Sequence, residues 1–268
     1  MKNKLCMLLL ASGIGLFSCA EKDLPKEYTD SVNVFIGTGG HGHTFPGATL
    51  PHGMVQLSPD TRLFGWDACS GYYYDDTSIM GFTHTHLSGT GIGDYGDILF
   101  MPVVGEKPLI AGTAENPDEG YRSRFSHEQE SARPGYYQVL LQDDSINVEL
   151  TATLRAGLHR YTYPKTSDAR LIVDMEPTIH GHQHPVTQIR VVNDSTIAGM
   201  KYTVGWAKRH YVYFYAVFSN PFDYKLYSGT EYQSDSTSVT GNTAKAVMSF
   251  RNLPADGRVL AKVGISSV

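Results

Sequence analysis

The most regular pattern along the chain is an alternation of apolar and polar residues over residues 146–155. The apolar set is Ile146, Val148, Leu150, Ala152 and Leu154, and the polar set between them is Asn147, Glu149, Thr151 and Thr153. Because successive side chains of a β-strand point to opposite faces, this spacing predicts a strand with one buried face. Asp143 and Asp144 precede it and are typical of a turn, which predicts a hairpin between residues 137–142 and 146–155.

Further short apolar segments, separated by Pro, Gly, Asn or Asp, predict more strands. They lie at residues 171–175, 187–193, 197–202, 211–219, 244–250 and 259–265. No segment of twelve residues or more shows the period of an amphipathic helix. Many short strands with turn residues between them predict an all-β sandwich.

Residues 32–96 lack this regular pattern and are dense in glycine, histidine and aromatic residues. The segment is predicted to form loops over a scaffold. Residues 91–96 fit the glycine spacing of a dinucleotide-binding fingerprint, but that motif needs a preceding strand, a following helix and an acidic residue about twenty positions later. The surrounding sequence is β-like, so a nucleotide site is excluded.

The first residues have the features of a bacterial lipoprotein signal. Lys2 and Lys4 precede an apolar stretch over residues 5–16, and the segment Leu-Phe-Ser-Cys ending at Cys19 resembles a lipobox. We therefore expect a signal peptide over residues 1–18, a lipidated Cys19, a tether over residues 19–27 and a single domain over residues 28–268. The expected location is the outer membrane or cell surface, or the periplasmic face. An ordinary secretory signal with a chance cysteine remains the alternative.

Composition narrows the function classes. The formal net charge is -5, with both signs spread along the chain, so nucleic acid is not an expected partner. The 17 tyrosines and 27 glycines suit a polar ligand with apolar faces, and they suit β-structure equally well. With Cys6 in the signal and Cys19 lipidated, Cys69 has no disulfide partner within the chain.

Three histidine clusters raise the question of a metal. They are His41 with His43, His84 with His86, and His180 with His182 and His184. Residues two apart share one face of a strand, so each pair could place two imidazoles on a zinc ion. None has a carboxylate or cysteine nearby at ligand spacing, and we expect no metal ligands in this chain. Structural and sugar-contacting roles for these histidines both stay open.

The carboxylates give no catalytic pair by spacing. Glycosidases usually use two carboxyl groups, and the candidates by type are Asp67, Asp75, Asp76, Asp94, Asp97, Asp174 and Glu176. Each could equally be a turn cap or a loop hydrogen-bond acceptor. Cys69 has no local base, so acyl chemistry has no support either.

Trp66 is the most suggestive single residue. It lies among small and polar residues, in the segment Phe-Gly-Trp-Asp-Ala-Cys-Ser-Gly-Tyr that ends at Tyr72. This setting favours exposure in the wall of a pocket, where an indole can stack on a pyranose ring while Asp67 accepts hydrogen bonds from its hydroxyls. The alternative is a core tryptophan beneath a loop.

Three stretches together resemble the N-terminal domain of glycoside hydrolase family 92, the calcium-dependent exo-acting α-mannosidases. They read NVFIGTGGHGHTFPGATLPHGMVQLSPD (residues 33–60), GWDACSGY (65–72) and GFTHTHLSGTG (81–91). The likeness continues through VELTATLRAGLHRY (148–161) to VGISS (263–267), and so covers essentially the whole mature chain. His52 and Ala68 depart from the family pattern, which leaves fine specificity open.

The resemblance implies a large β-sandwich (supersandwich), similar to galactose mutarotase folds. In the family, a larger (α/α)6 barrel follows and holds the general acid, the base and most of the Ca2+ site. Such enzymes remove terminal mannose from N-glycans or mannan by an inverting reaction, and the α-1,2 type is expected. The chain ends at Val268 inside an apolar segment, so we expect this barrel to be absent and no catalytic residue to lie in the chain.

Carried onto this sequence, the family's substrate-facing wall corresponds to six residues. They are Phe45, Gly47, Trp66, Asp67, His84 and His86. The expected partners are mannose-terminated glycans, the missing C-terminal domain, and a membrane reached through Cys19. The main hypothesis is the substrate-facing domain of an exo-α-mannosidase, inactive alone. A non-catalytic surface glycan-binding lipoprotein and a zinc hydrolase built on the histidine pairs are the alternatives.

Overall fold

The computed structural model describes residues 27–268. The expected signal peptide, the expected lipid site Cys19 and all but the last residue of the expected tether lie outside the described residues. Within residues 27–268, no helix has the length and apolar character needed to cross a membrane. The helices there are 3-10 turns of three or four residues, at Tyr28–Ser31, Trp66–Ala68, Pro117–Glu119, His127–Gln129 and Ile179–Gly181.

One large sheet has nine antiparallel strands, numbered here in chain order. Across the sheet they are β17 (Ser238–Gly241), β12 (Gln183–Asn193), β13 (Thr196–Val204), β14 (His210–Phe218), β19 (Arg258–Ser266), β10 (Ala156–Thr162), β9 (Ile146–Ala152), β8 (Tyr136–Leu141) and β7 (Glu130–Arg133). The sheet is open, with β17 and β7 at its edges.

The second large sheet has eight strands and faces the first. Across it they are β1 (Ala48–Thr49), β2 (Gln56–Asp60), β4 (Gly81–Thr83), β5 (Leu99–Val104), β11 (Ala169–Asp174), β18 (Ala244–Phe250), β15 (Phe222–Ser228) and β16 (Glu231–Tyr232). A small third sheet pairs β3 (Ser78–Ile79) with β6 (Ser123–Arg124). The prediction of an all-β sandwich is confirmed.

The predicted hairpin is formed by β8 and β9. Burial along β9 alternates as predicted, and the buried residues are Ile146, Val148, Leu150 and Ala152. The prediction was wrong for Leu154, which is 55% exposed. The strand ends before it, because the Thr153 backbone N–H donates to the Ala156 carbonyl (2.8 Å) and the chain turns into β10. The other six predicted strands correspond to β11 to β14, β18 and β19.

The apolar core lies between the two large sheets. Phe100 of the eight-stranded sheet and Phe218 of the nine-stranded sheet stack with ring centroids 6.2 Å apart, and Phe250 lies 5.8 Å from Phe218. Burying each such side chain contributes roughly 1.5–3 kcal/mol. Cys69 is a free buried cysteine, so the described residues depend on this core for stability.

Residues 32–96 form mostly loops, as predicted, and also four short strands that were not predicted. Three of these strands, β1, β2 and β4, build one edge of the eight-stranded sheet. The loops between them therefore gather at that edge, where the three signature stretches of the sequence meet.

Candidate functional site

Three loops meet at the edge of the eight-stranded sheet. We name them the histidine loop (residues 37–47), the tryptophan loop (residues 61–72) and the glycine loop (residues 87–96). The Gly89 N–H donates to the His43 carbonyl (2.5 Å) and joins the glycine loop to the histidine loop. The Ser70 hydroxyl donates to the Thr44 carbonyl (3.0 Å) and joins the tryptophan loop to it. The three loops, which lie in or beside the stretches that carry the family resemblance, are thus joined to one another by hydrogen bonds.

Trp66 stands on this surface with 59% of its area exposed. Its ring meets the His43 ring edge to face, with centroids 4.9 Å apart. The indole also lies close to the backbone of Gly91, where an added Cβ would come within 2.8 Å of the ring. Gly91 has a φ of +62°, a conformation that favours glycine. Trp66 therefore contacts His43 and Gly91 but leaves more than half of its area exposed to solvent, unlike a core tryptophan.

Asp67 lies next to Trp66 and is bound to the histidine loop. The His41 Nδ1–H donates to Asp67 Oδ1 at 2.7 Å, and His43 Nε2 lies 3.4 Å from the same oxygen. The hydrogen bond from His41 lowers the pKa of the Asp67 carboxyl. A carboxylate that stays ionised at neutral pH is available as a hydrogen-bond acceptor.

The fold adds a carboxylate to His41 and His43, the histidine pair that the sequence raised as possible zinc ligands. One ligand atom from each of His41, His43 and Asp67 lies within 4.8 Å of the other two. The expectation that no carboxylate accompanies this histidine pair considered only local spacing. Calcium takes six to eight oxygen ligands. Two imidazole nitrogens do not fit that preference, so this cluster does not suit the calcium implied by the resemblance.

His84, the first histidine of the second pair, is fully buried. The Tyr161 hydroxyl meets His159 Nδ1 at 2.9 Å, His159 Nε2 meets His84 Nε2 at 3.0 Å, and His84 Nδ1–H donates to the Ile98 carbonyl at 2.7 Å. This chain is satisfied when both imidazoles are neutral, with Tyr161 and His159 donating in turn. Burial lowers the pKa of His84 to about 4 and that of His159 well below its ordinary value.

His86, Phe45 and Gly47 lie beneath the surface that Trp66 occupies. His86 is buried, with Nε2 2.9 Å from Asp60 Oδ1 and Nδ1 donating to the Gln56 carbonyl at 2.7 Å. Phe45 is half-buried and packs against the His86 ring at 5.1 Å. Gly47 is buried against the backbone of β2, where a Cβ would collide with the Leu57 carbonyl and Ser58. These residues support the loops from below.

The third histidine cluster makes contacts with backbone oxygens. His180 Nε2 donates to the Gly65 carbonyl (2.9 Å) and His182 Nε2 to the Gly93 carbonyl (2.7 Å). Each contact ties the segment after β11 to one of the three loops. The histidines of this cluster are accordingly directed to separate carbonyls.

Cys69 has a histidine nearby that the sequence did not indicate, with its Sγ 3.9 Å from His180 Nε2. The thiol donates to the Trp66 carbonyl at 2.9 Å. Burial raises the pKa of Cys69, so the thiol stays protonated. This arrangement does not support a nucleophilic role.

Most of the candidate carboxylates have partners within the domain. Asp76 is paired with Arg62, Asp94 lies 4.0 Å from His182, Asp97 is paired with Lys201 and His210, and Asp174 and Glu176 are paired with Lys245. Burial would raise the pKa of Asp97, but Lys201, His210 and Thr85 outweigh it and hold that pKa well below its ordinary value. These ion pairs hold strands and loops together.

A cavity of about 500 Å³ lies beside the tryptophan loop. Its lining includes Arg62, Phe64, Asp76 and Arg122, and does not include Trp66. The indole therefore lies outside this cavity, on the exposed surface of the loops.

Solved structures of α-mannosidases are similar to this domain. An α-mannosidase of family GH92 from Bacteroides thetaiotaomicron, solved in complex with mannoimidazole, is similar with a TM-score of 0.85 and 42% identity, over 90% of this chain and 32% of that chain. A GH92 inverting mannosidase from Bacteroides thetaiotaomicron VPI-5482 is similar with a TM-score of 0.73 and 27% identity, over 91% of this chain and 32% of that chain.

A curated protein also matches. It is an uncharacterized secreted glycosidase of Arthroderma benhamiae, 32% identical over 142 residues, which are 50% of this chain and 17% of that protein. The chain thus spans a third or less of the length of these relatives.

The model of the glycosyl hydrolase family 92 N-terminal domain matches residues 31–266. That range contains both large sheets and the three loops that meet at Trp66. The chain therefore belongs to glycosyl hydrolase family 92, and these residues are its N-terminal domain.

Proposed function

We propose that this chain is the substrate-facing N-terminal domain of an exo-α-mannosidase of the α-1,2 type, which removes terminal mannose from N-glycans or mannan by inverting hydrolysis. The observation that carries the proposal is the exposed indole of Trp66 beside the Asp67 carboxylate, where three loops meet. The family membership and the mannosidase relatives support the substrate class.

The chemistry of this surface suits a sugar. The exposed face of an indole can stack on the C–H face of a pyranose, and a carboxylate accepts hydrogen bonds from vicinal hydroxyls. His41, 2.7 Å from Asp67, fixes the orientation of that carboxylate. His84, His86, Phe45 and Gly47 act from beneath, by holding the loops in place.

The reacting carboxyl groups are proposed to come from a further domain. Inverting glycosidases hold an acid and a base about 6.5–9.5 Å apart, with a water molecule between them. The buried carboxylates described here are engaged in ion pairs such as that of Asp174 with Lys245 (2.9 Å). The calcium of the family is proposed to bind mainly in the same further domain.

The test measures mannose release from α-1,2-mannobiose in the presence of calcium. We expect no turnover by this chain alone. We expect turnover when residues 27–268 replace the matched third of the 42% identical Bacteroides α-mannosidase. Hydrolysis by the isolated chain would show that its own carboxylates are catalytic. Mannan binding by the chain, lost in Trp66→Ala, with no activity in the hybrid enzyme would instead favour a surface glycan-binding lipoprotein.

We also propose attachment to the outer membrane or cell surface through lipid on Cys19. The support is the sequence alone, where the lipobox-like segment ends at this residue. A Cys19→Ala variant, expressed in a bacterial host, is expected to move from the membrane fraction to the soluble fraction. The outcome that contradicts lipidation is equal membrane association of both proteins.

A further inference from the structure

The cluster of His41, His43 and Asp67 has the donor set of a transition-metal site. Zinc bound by two histidines and one carboxylate is a recurrent arrangement, with a fourth position left for water or another oxygen ligand. In a tetrahedral site with zinc–ligand distances of about 2.0–2.2 Å, neighbouring ligand atoms are roughly 3.3 Å apart. His43 Nε2 and Asp67 Oδ1 are already 3.4 Å apart.

The third ligand atom, on His41, lies within 4.8 Å of the other two and has to move to reach the same geometry. His41 Nδ1 lies 2.7 Å from Asp67 Oδ1, which is a hydrogen-bond distance rather than a metal-ligand edge. A metal would replace the shared proton and widen that separation by roughly half an ångström. The His41 side chain is 79% exposed, so it is free to make this shift.

The burial of His43 also points to a bound ion. His43 is only 7% exposed, and its Nε2 has no hydrogen-bond partner within residues 27–268. Buried polar atoms are nearly always paired, and each exception calls for an explanation such as an ion. This unpartnered Nε2 is the same atom that lies 3.4 Å from Asp67 Oδ1, without the geometry of a hydrogen bond.

We propose that His41, His43 and Asp67 bind a divalent cation of the zinc class. The ion joins the histidine loop to the tryptophan loop. Its nitrogen donors separate this site from any calcium site, because calcium prefers oxygen ligands. The site stands on its own contacts and does not depend on sugar binding by Trp66.

The experiment is calorimetric titration of the metal-free chain with Zn2+ at neutral pH, repeated on three variants. We expect one ion per chain at this site, with affinity at least ten-fold weaker in His41→Ala and in Asp67→Asn. His52→Asn is the matched control, because His52 is an exposed histidine whose φ of +61° asparagine also tolerates; it is expected to bind as the parent does. Replacing the exposed His41 does not disturb the core, so the His41→Ala result remains interpretable if Asp67→Asn fails to fold.

A second measurement follows Trp66 in a Trp206→Phe background, which leaves one indole. Because the Trp66 and His43 rings are 4.9 Å apart, Zn2+ is expected to change the Trp66 emission at the same stoichiometry, and equimolar Ca2+ to leave it unchanged. The proposal is overturned if the parent binds no Zn2+, if His41→Ala and Asp67→Asn bind as the parent does, if His52→Asn loses binding equally, or if Ca2+ displaces the ion.

Discussion

Residues 136–266 and residues 33–98 are both well buried, but by different means. The first region is a series of strands whose apolar residues alternate with polar ones, as in β9, and its buried positions are mainly aliphatic or aromatic. The second region buries polar side chains, among them Asp60, His84, His86 and Asp97, and these four make hydrogen bonds inside the domain. Apolar packing tolerates local adjustment, whereas a buried polar group is costly as soon as one partner is removed.

The two regions are joined by polar contacts that cross from one to the other. Lys201 on β13 reaches Asp97, and His159 on β10 reaches His84. The candidate site therefore depends on a buried polar layer between the loops and the nine-stranded sheet.

Lys201→Met is expected to destabilise the protein by about 3–5 kcal/mol, because it leaves the buried Asp97 carboxylate without its lysine partner. Lys201 and Asp97 are both fully buried, 3.5 Å apart. Lys262→Met is the matched control, since Lys262 is exposed on β19 of the same sheet, and its expected cost is below about 0.5 kcal/mol. Urea unfolding of both variants measures the difference. Similar losses in the two variants would show that the ion pair has no special role.

The neutral pair of His84 and His159 predicts a loss of stability in acid. The pKa of His84 is lowered to about 4 in the folded state, against about 6.5 when unfolded. As the pH falls below 6.5 the unfolded chain takes up the proton first, so the free energy of unfolding declines until about pH 4. The expected contribution is about 3 kcal/mol.

Urea unfolding between pH 7 and pH 4 measures this decline. His84→Gln, which keeps a donor and an acceptor, is expected to give a shallower curve than the parent. His52→Gln, at an exposed histidine, is expected to leave the slope unchanged. A parent curve that stays level from pH 6.5 to pH 4 would contradict the neutral pair.

Gly47→Ala is expected to cost about 1–3 kcal/mol, because its Cβ would collide with the backbone of β2. Gly39→Ala is the matched control from the same loop, where the nearest atom to an added Cβ is at an ordinary 3.5 Å. Thermal unfolding should show a lower Tm for Gly47→Ala only. Equal Tm values would mean that the histidine loop can shift to accommodate the added Cβ without loss of stability.

The difference between the regions also explains what could be predicted from sequence. Strands such as β9, β13 and β14 were predictable because alternation is a local property of consecutive residues. Strand β10 was not predicted, and its His159 and Tyr161 were not recognised as part of a buried network. The exposure of Trp66 was predictable from its small and polar neighbours.

The rest of the candidate site depends on residues far apart in the chain. Asp67 meets His41 across 26 positions, and His159 meets His84 across 75. The sequence around His41 and His84 does not indicate these partners, since the two His-x-His pairs have similar neighbouring residues. The packing of the loops on the sheet edge decides the difference: it places His41 and His43 beside the Asp67 carboxylate at the surface, and it buries His84 and His86 beneath them.

We propose that Trp66 faces the sugar in a complete family 92 enzyme. The most direct measurement is kcat/KM for α-1,2-mannobiose in the hybrid of residues 27–268 with the remainder of the Bacteroides α-mannosidase, comparing Trp66→Ala with Trp206→Ala. Trp206 is 67% exposed and lies outside the three loops, so its loss is expected to change kcat/KM less than two-fold. We expect a loss of at least about ten-fold for Trp66→Ala, in line with a stacking contact of roughly 1.4 kcal/mol or more. Unchanged turnover in Trp66→Ala would contradict it.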